Sequence, residues 1–156
     1  FMTEYEQLLQ DAYDRDLFVH EDAFIESGAD GMIYDTLIYL SDRLVSCREK
    51  TCILVEEIAH YDVNTGNILD QTKAWNRQQE LKARRLAFDR MSVLQGLIES
   101  FKAGDRNLYE VAERLNVTEP FLAEALKDYR ARFPKGVQVD NFWISFRPYL
   151  TIAEVE

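Results

Sequence analysis

Apolar residues change their spacing several times along this chain, and each change marks a predicted element. Thr3 stands as an N-cap ahead of Tyr5, Leu8, Leu9, Ala12 and Tyr13, whose spacing predicts an amphipathic helix ending near Asp14 to Asp16. From Leu17 to Leu40 the apolar residues come in short runs punctuated by Gly28 and Gly31. There, Met32-Ile33-Tyr34 and Leu37-Ile38-Tyr39-Leu40 flank Asp35-Thr36, which predicts a small hairpin. Ser41 or Ser46 would cap the next helix, in which Cys52, Ile53, Val55, Ile58, Ala59 and Tyr61 mark a mostly buried element that stops around Asn64-Thr65-Gly66. A loop through Asp70 leads to a helix from about Lys73 to Arg90, with Trp75, Leu81, Ala83, Leu86, Ala87 and Phe88 as its apolar positions.

A further helix covers about Ser92 to Lys102. Asp105-Arg106-Asn107 opens another through Leu115, Asn116-Val117-Thr118 makes a turn, and Thr118 caps a helix entered through Glu119-Pro120. Together these make a helix-turn-helix-like subregion at about 105–133. Val137-Gln138-Val139 and Phe142-Trp143-Ile144-Ser145-Phe146 predict a strand or hairpin that Pro148 stops. In that run the alternating aromatics bury one strand face, so they read as core.

Length and composition narrow the picture. With 156 residues and 47% hydrophobic content, the chain is expected to form one domain over 2–156. Phe1 reads as a leftover ahead of a native start at Met2. No signal peptide or membrane-spanning apolar run follows, and Cys47 and Cys52 suit reduced thiols, so the expected location is the cytoplasm. The formal net charge of −10 opposes a phosphate backbone and disfavours direct nucleic-acid binding. On the second helix of the helix-turn-helix-like segment, Glu124 and Asp128 come before most of Lys127, Arg130 and Arg132, which points the same way.

One segment carries candidate chemistry. In Glu56-Glu57-Ile58-Ala59-His60 the residues four apart share a helix face, so Glu56 and His60 point at one spot with Glu57 beside them. This is an E-E-x-x-H variant of H-E-x-x-H, in which two histidines hold zinc and the glutamate is general base. Glu-Glu on a helix is also a common solvated face, and the spacing alone leaves both meanings open. His20-Glu21 has Phe24 where a second ligand would stand, so His20 reads as structural.

The surrounding text adds a resemblance. Thr51 through Tyr61, then Thr65-Gly66-Asn67-Ile68-Leu69-Asp70, then Asn76 through Ala87 together resemble the core of the ImmA/IrrE family, and the similarity extends from about Leu17 to Phe133. The resemblance implies an α+β fold: a mainly helical zincin-like core, a small antiparallel sheet beside the active-site helix, and a C-terminal helix-turn-helix-like segment. It also implies zinc held by Glu56, His60 and Glu80, with Glu57 as catalytic base. The implied role is a metallopeptidase-like protein of a phage or mobile element that acts on a cognate helix-turn-helix repressor. Glu56 stands where the family's ordinary motif has histidine. A carboxylate there adds negative charge and weakens a zinc ion's effect on its water. The alternative is therefore a catalytically impaired member serving as a protein-binding regulator.

Overall fold

The computed structural model describes residues 1–64 and 73–156, the side chains of 73–76 excepted. The expected helix stop at Thr65-Gly66, the Thr65 to Asp70 segment with its loop, and the side chains of Trp75 and Asn76 lie outside the described residues. The chain divides into two compact units, Phe1–Arg90 and Met91–Glu156. The fold is α+β, with six helices and two three-stranded sheets among the described residues.

In the first unit, helix α1 (Glu4–Asp14) opens on a reciprocal cap. The Glu6 amide donates to Thr3 Oγ1 at 3.1 Å, and the Thr3 amide donates to Glu6 Oε1 at 3.0 Å. The helix buries Tyr5, Leu8 and Ala12, whereas Tyr13, expected on the same stripe, is exposed. Strands β1 (Phe18–Ala23), β2 (Gly31–Tyr34) and β3 (Leu37–Ser41) form a sheet in the order β1-β3-β2. The predicted hairpin is β2–β3, and Asp35 takes the positive φ of 54° that a two-residue turn requires. β1 was not expected; its Glu21 and Asp22 disguise it, because acidic residues are poor strand formers. Since β1 runs parallel to β3, the sheet is mixed, where a purely antiparallel one was expected.

Helix α2 (Cys47–Asn64) starts at Ser46, not Ser41. The Glu49 amide donates to Ser46 Oγ at 3.0 Å, and the Ser46 amide returns the bond to Glu49 Oε1 at 3.0 Å. Thr51, Cys52, Leu54, Val55, Ile58 and Ala59 are buried, a stripe wide enough to meet neighbours on two sides. Helix α3 (Lys73–Arg90) packs on α2 and buries Ala83, Ala87 and Phe88. Small alanines one turn apart let two helix backbones approach closely. Leu81 and Leu86, expected on this face, are about 40% exposed. Arg15 pairs with Asp62 at 2.7 Å, and Arg90 pairs with Asp11 at 2.8 Å and Glu4 at 3.2 Å, tying α1 to both later helices.

In the second unit, α4 (Val93–Ala103), α5 (Leu108–Leu115) and α6 (Glu119–Arg132) precede an antiparallel meander of β4 (Val137–Val139), β5 (Phe142–Ser145) and β6 (Thr151–Glu154). Asn107 and Thr118 cap α5 and α6, and Asn116 leaves α5 at φ 57°. β6 was not expected, because Pro148 suggested that pairing ended there. The chain turns after Pro148 and pairs again, Ile152 opposite Ile144. Phe142, Ile144 and Phe146 are buried and Trp143 faces the other way, the alternation that a half-buried strand requires. No helix among the described residues is long and apolar enough to cross a membrane.

Candidate active site on the second helix

The site lies wholly in the first unit and begins with how α2 is wedged. Its buried stripe fixes the helix between the first sheet and its neighbouring helices, leaving Glu56, Glu57, His60 and Tyr61 half-buried at the margin. On the sheet side Gly31 of β2 lies against it. A Cβ at Gly31 would come within 2.4 Å of Ile53 Cγ2 and 3.4 Å of Glu57 Cγ. Only a glycine lets strand and helix stand this close. In the sequence Gly31 reads as punctuation; a glycine inside a strand run is the available sign of a tight approach.

On the other side α3 carries Glu80 to the site. Glu80 is three residues before buried Ala83, so the packing that seats Ala83 turns Glu80 toward α2. Its Oε2 lies 3.5 Å from His60 Nε2, and its Oε1 lies 3.5 Å from Arg84 Nε. Arg84 is a site neighbour that the sequence reading did not single out, although its four-residue spacing from Glu80 would have shown it.

Glu57 sits in a perturbed environment. Burial, reinforced by the negative charges of Glu56 and Glu80, pushes its carboxyl pKa up to about 7. A carboxyl that gains or loses its proton near neutrality is what general-base chemistry needs. Three carboxylates around one half-buried position also favour the presence of a proton or a metal cation.

The donor types of Glu56, His60 and Glu80 suit zinc, which carboxylate oxygen and imidazole nitrogen bind at about 2.0–2.2 Å. In geometry the fit is partial. His60 and Glu80 are adjacent, and Glu56 is one turn from His60 on the same helix; among the described residues no three His, Cys, Asp or Glu are grouped so as to hold an ion. Zinc, when bound, would supply a Lewis acid that acidifies water and polarises a carbonyl.

No protein-family model, no curated protein and no solved structure matches the chain. The residues must therefore speak for themselves. His20 lies on the outer face of the first sheet, stacked on Tyr39 with ring centroids 5.3 Å apart, away from Glu57. Neither Cys47 nor Cys52 is in a disulfide; the first is exposed and the second buried.

Proposed function

We propose that this chain is a metallopeptidase-like protein of the ImmA/IrrE kind, from a phage or mobile element, which acts on a cognate helix-turn-helix repressor in the cytoplasm. The observation that carries this reading is the approach of Glu80 to His60, 3.5 Å across the α2–α3 packing, beside half-buried Glu57. Two helices thus bring a nitrogen donor and a carboxylate together next to a carboxyl that titrates near neutrality. In this reading Glu56, His60 and Glu80 hold zinc and Glu57 accepts a proton from water attacking a peptide carbonyl. β2 pairs only with β3 among the described residues, so its other edge offers main-chain groups to an extended peptide beside Glu57.

A second reading, a protein-binding regulator with little or no hydrolysis, is favoured by the way Glu80 divides itself between His60 and Arg84. Direct DNA binding through α5 and α6 has less support. Arg132 pairs with Asp128 at 2.8 Å, and Arg130 donates to the Phe146 carbonyl at 3.2 Å, so both cations serve the fold.

The test is zinc calorimetry on wild type, Glu56→His and Glu57→Gln, beside cleavage of a candidate repressor by each. Glu56→His is expected to bind zinc about tenfold or more tightly than wild type. Glu57→Gln should keep the metal and lose cleavage. If Glu56→His gains nothing, Glu56 does not face the metal; rapid cleavage by wild type would remove the regulator reading.

A further inference from the structure

The first sheet has two faces, and only one of them belongs to the site. Val19, Gly31, Ile33, Ile38 and Leu40 point inward, where Ile38 and Leu40 are fully buried and Gly31 meets α2. The strand registers put the alternate residues in two rows on the outer face. Phe18, Leu37 and Tyr34 lie opposite one another in the first row, and His20, Tyr39 and Met32 in the second. The ends of these rows are exposed: Phe18 is 61% exposed, Tyr34 70% and Met32 40%. Singly exposed apolar residues are ordinary, but six ring-bearing or aliphatic side chains in register form a contiguous patch, and such patches mark interaction sites.

Charge selects the partner. Asp16 and Asp35 stand at one end of the rows, and Asp22, Asp30 and Asp42 at the other, all exposed. Arg43 is the basic side chain at that rim, bonded to the Gly28 and Ala29 carbonyls and 3.5 Å from Asp30. An acidic rim around an apolar floor is complementary to lysine or arginine flanking an apolar stripe. The patch is also small. Two inter-strand spacings make it about 10 Å wide, which is the diameter of one helix, about 10–12 Å. An extended strand would instead seek a sheet edge. A second copy of this chain would bring the same acidic rim against itself.

We infer that the outer face of the first sheet, Phe18–Leu37–Tyr34 and His20–Tyr39–Met32, is a docking surface for a basic amphipathic helix of a partner protein. It lies on the opposite side of the sheet from Glu57, so docking does not depend on whether the chain hydrolyses peptides. Such a helix gains burial from the two rows and orientation from the aspartates at their ends.

The probe is a synthetic helical peptide with leucine on one face and lysine on the other, titrated into the isotopically labelled full chain and followed by amide shifts. Two control peptides carry glutamate for lysine or serine for leucine. Shifts should concentrate in β1, β2 and β3, and the lysine–leucine peptide should bind at least about tenfold tighter than either control. The double variant Phe18→Ser with Tyr34→Ser, both at exposed positions, should weaken it by about tenfold while the helical circular dichroism is unchanged. Asp16→Asn with Asp35→Asn should weaken it about threefold and flatten its salt dependence. Shifts elsewhere on the molecule, equal binding of the serine peptide, or full affinity in the Phe18 and Tyr34 variant would overturn the inference. So would a self-association that the serine variant abolishes while peptide binding persists, since the occupant would then be a second copy.

Discussion

The two three-stranded sheets treat their apolar surface in opposite ways. In the second unit, Phe142, Ile144 and Phe146 of the meander turn inward, and Phe146 joins Tyr129 and Phe133 with ring centroids 5.4 and 6.3 Å away. On its other face one row holds Gln138, Trp143 and Ala153, a single aromatic between small or polar neighbours. The first sheet buries its inner face just as well, yet leaves Phe18, Met32 and Tyr34 outside and a half-buried acid at its helix. Natural sequences depart from local consistency where function requires it. Charge follows the same division: through Arg90 there are 18 acidic and 10 basic residues, and after it 10 and 8. The second unit therefore reads as scaffold and the first as the working half.

The comparison predicts unequal sensitivity to substitution. Phe146→Ala removes a side chain that is 1% exposed from an aromatic cluster. Its expected cost is about 3–5 kcal/mol, because a cavity remains where the ring stood. Urea denaturation would measure this. A loss below about 1 kcal/mol would mean that the cluster repacks freely and that the second unit is not the rigid one.

Gly31→Ala probes the seam between sheet and site. The new Cβ would lie 2.4 Å from Ile53 Cγ2, a branch too near its own backbone to swing away. Strand β2 must shift off α2, at an expected cost of about 1–3 kcal/mol. The same shift exposes Glu57 to water and brings its pKa down toward the ordinary carboxylate range, which carbon-detected NMR titration would follow. An unchanged Glu57 titration would show that the glycine does not set its burial.

Much of this architecture was legible in the sequence for identifiable reasons. The caps at Thr3, Ser46, Asn107 and Thr118 are local and hydrogen-bond as their residue types suggest. The β2–β3 hairpin was readable from two apolar runs around Asp35. β1 was not readable, because its partner β3 lies beyond β2 in sequence and its acidic residues mask the strand, and β6 was not, because Pro148 reads as the end of pairing although the neighbouring strand β5 holds it. At the site, helical spacing alone joined Glu56 to His60. That Glu80 meets His60 was an expectation carried by resemblance, since no local pattern sets the α2–α3 crossing. The raised pKa of Glu57 depends on burial by β2 and so on tertiary structure.

Glu57 also gives a pH prediction for chelator-treated protein. Its folded pKa of about 7 lies above the ordinary 4.5, so the native state binds the proton more tightly than the unfolded chain does. That contribution is fully present below about pH 4.5 and is lost as pH rises to about 7, beyond which it stays lost. Glu57→Gln removes this slope. The variant should be more stable than wild type at pH 8 by about 1–3 kcal/mol, with the gap closing toward pH 5. Denaturation midpoints of both proteins at the two pH values decide it, and a gap independent of pH would show that Glu57 is not held protonated by its surroundings.

The smallest expected effect is the sharpest contrast with Phe146. Tyr34 is 70% exposed at the end of the outer row, so its ring is largely wet in the native state as in the unfolded one. Tyr34→Ser should change stability by no more than about 0.5 kcal/mol, the range of ordinary surface substitutions. Strand preference works slightly against serine, because aromatic residues suit a pleated surface and pair well across strands, here with Leu37. A residue that contributes so little to folding while raising apolar exposure calls for an explanation outside folding, and docking supplies one. Urea midpoints for Tyr34→Ser and wild type, measured under identical conditions, test this. A loss of 2 kcal/mol or more, on the order of a buried side chain, would mean that Tyr34 supports the sheet itself and that the outer face is part of the scaffold.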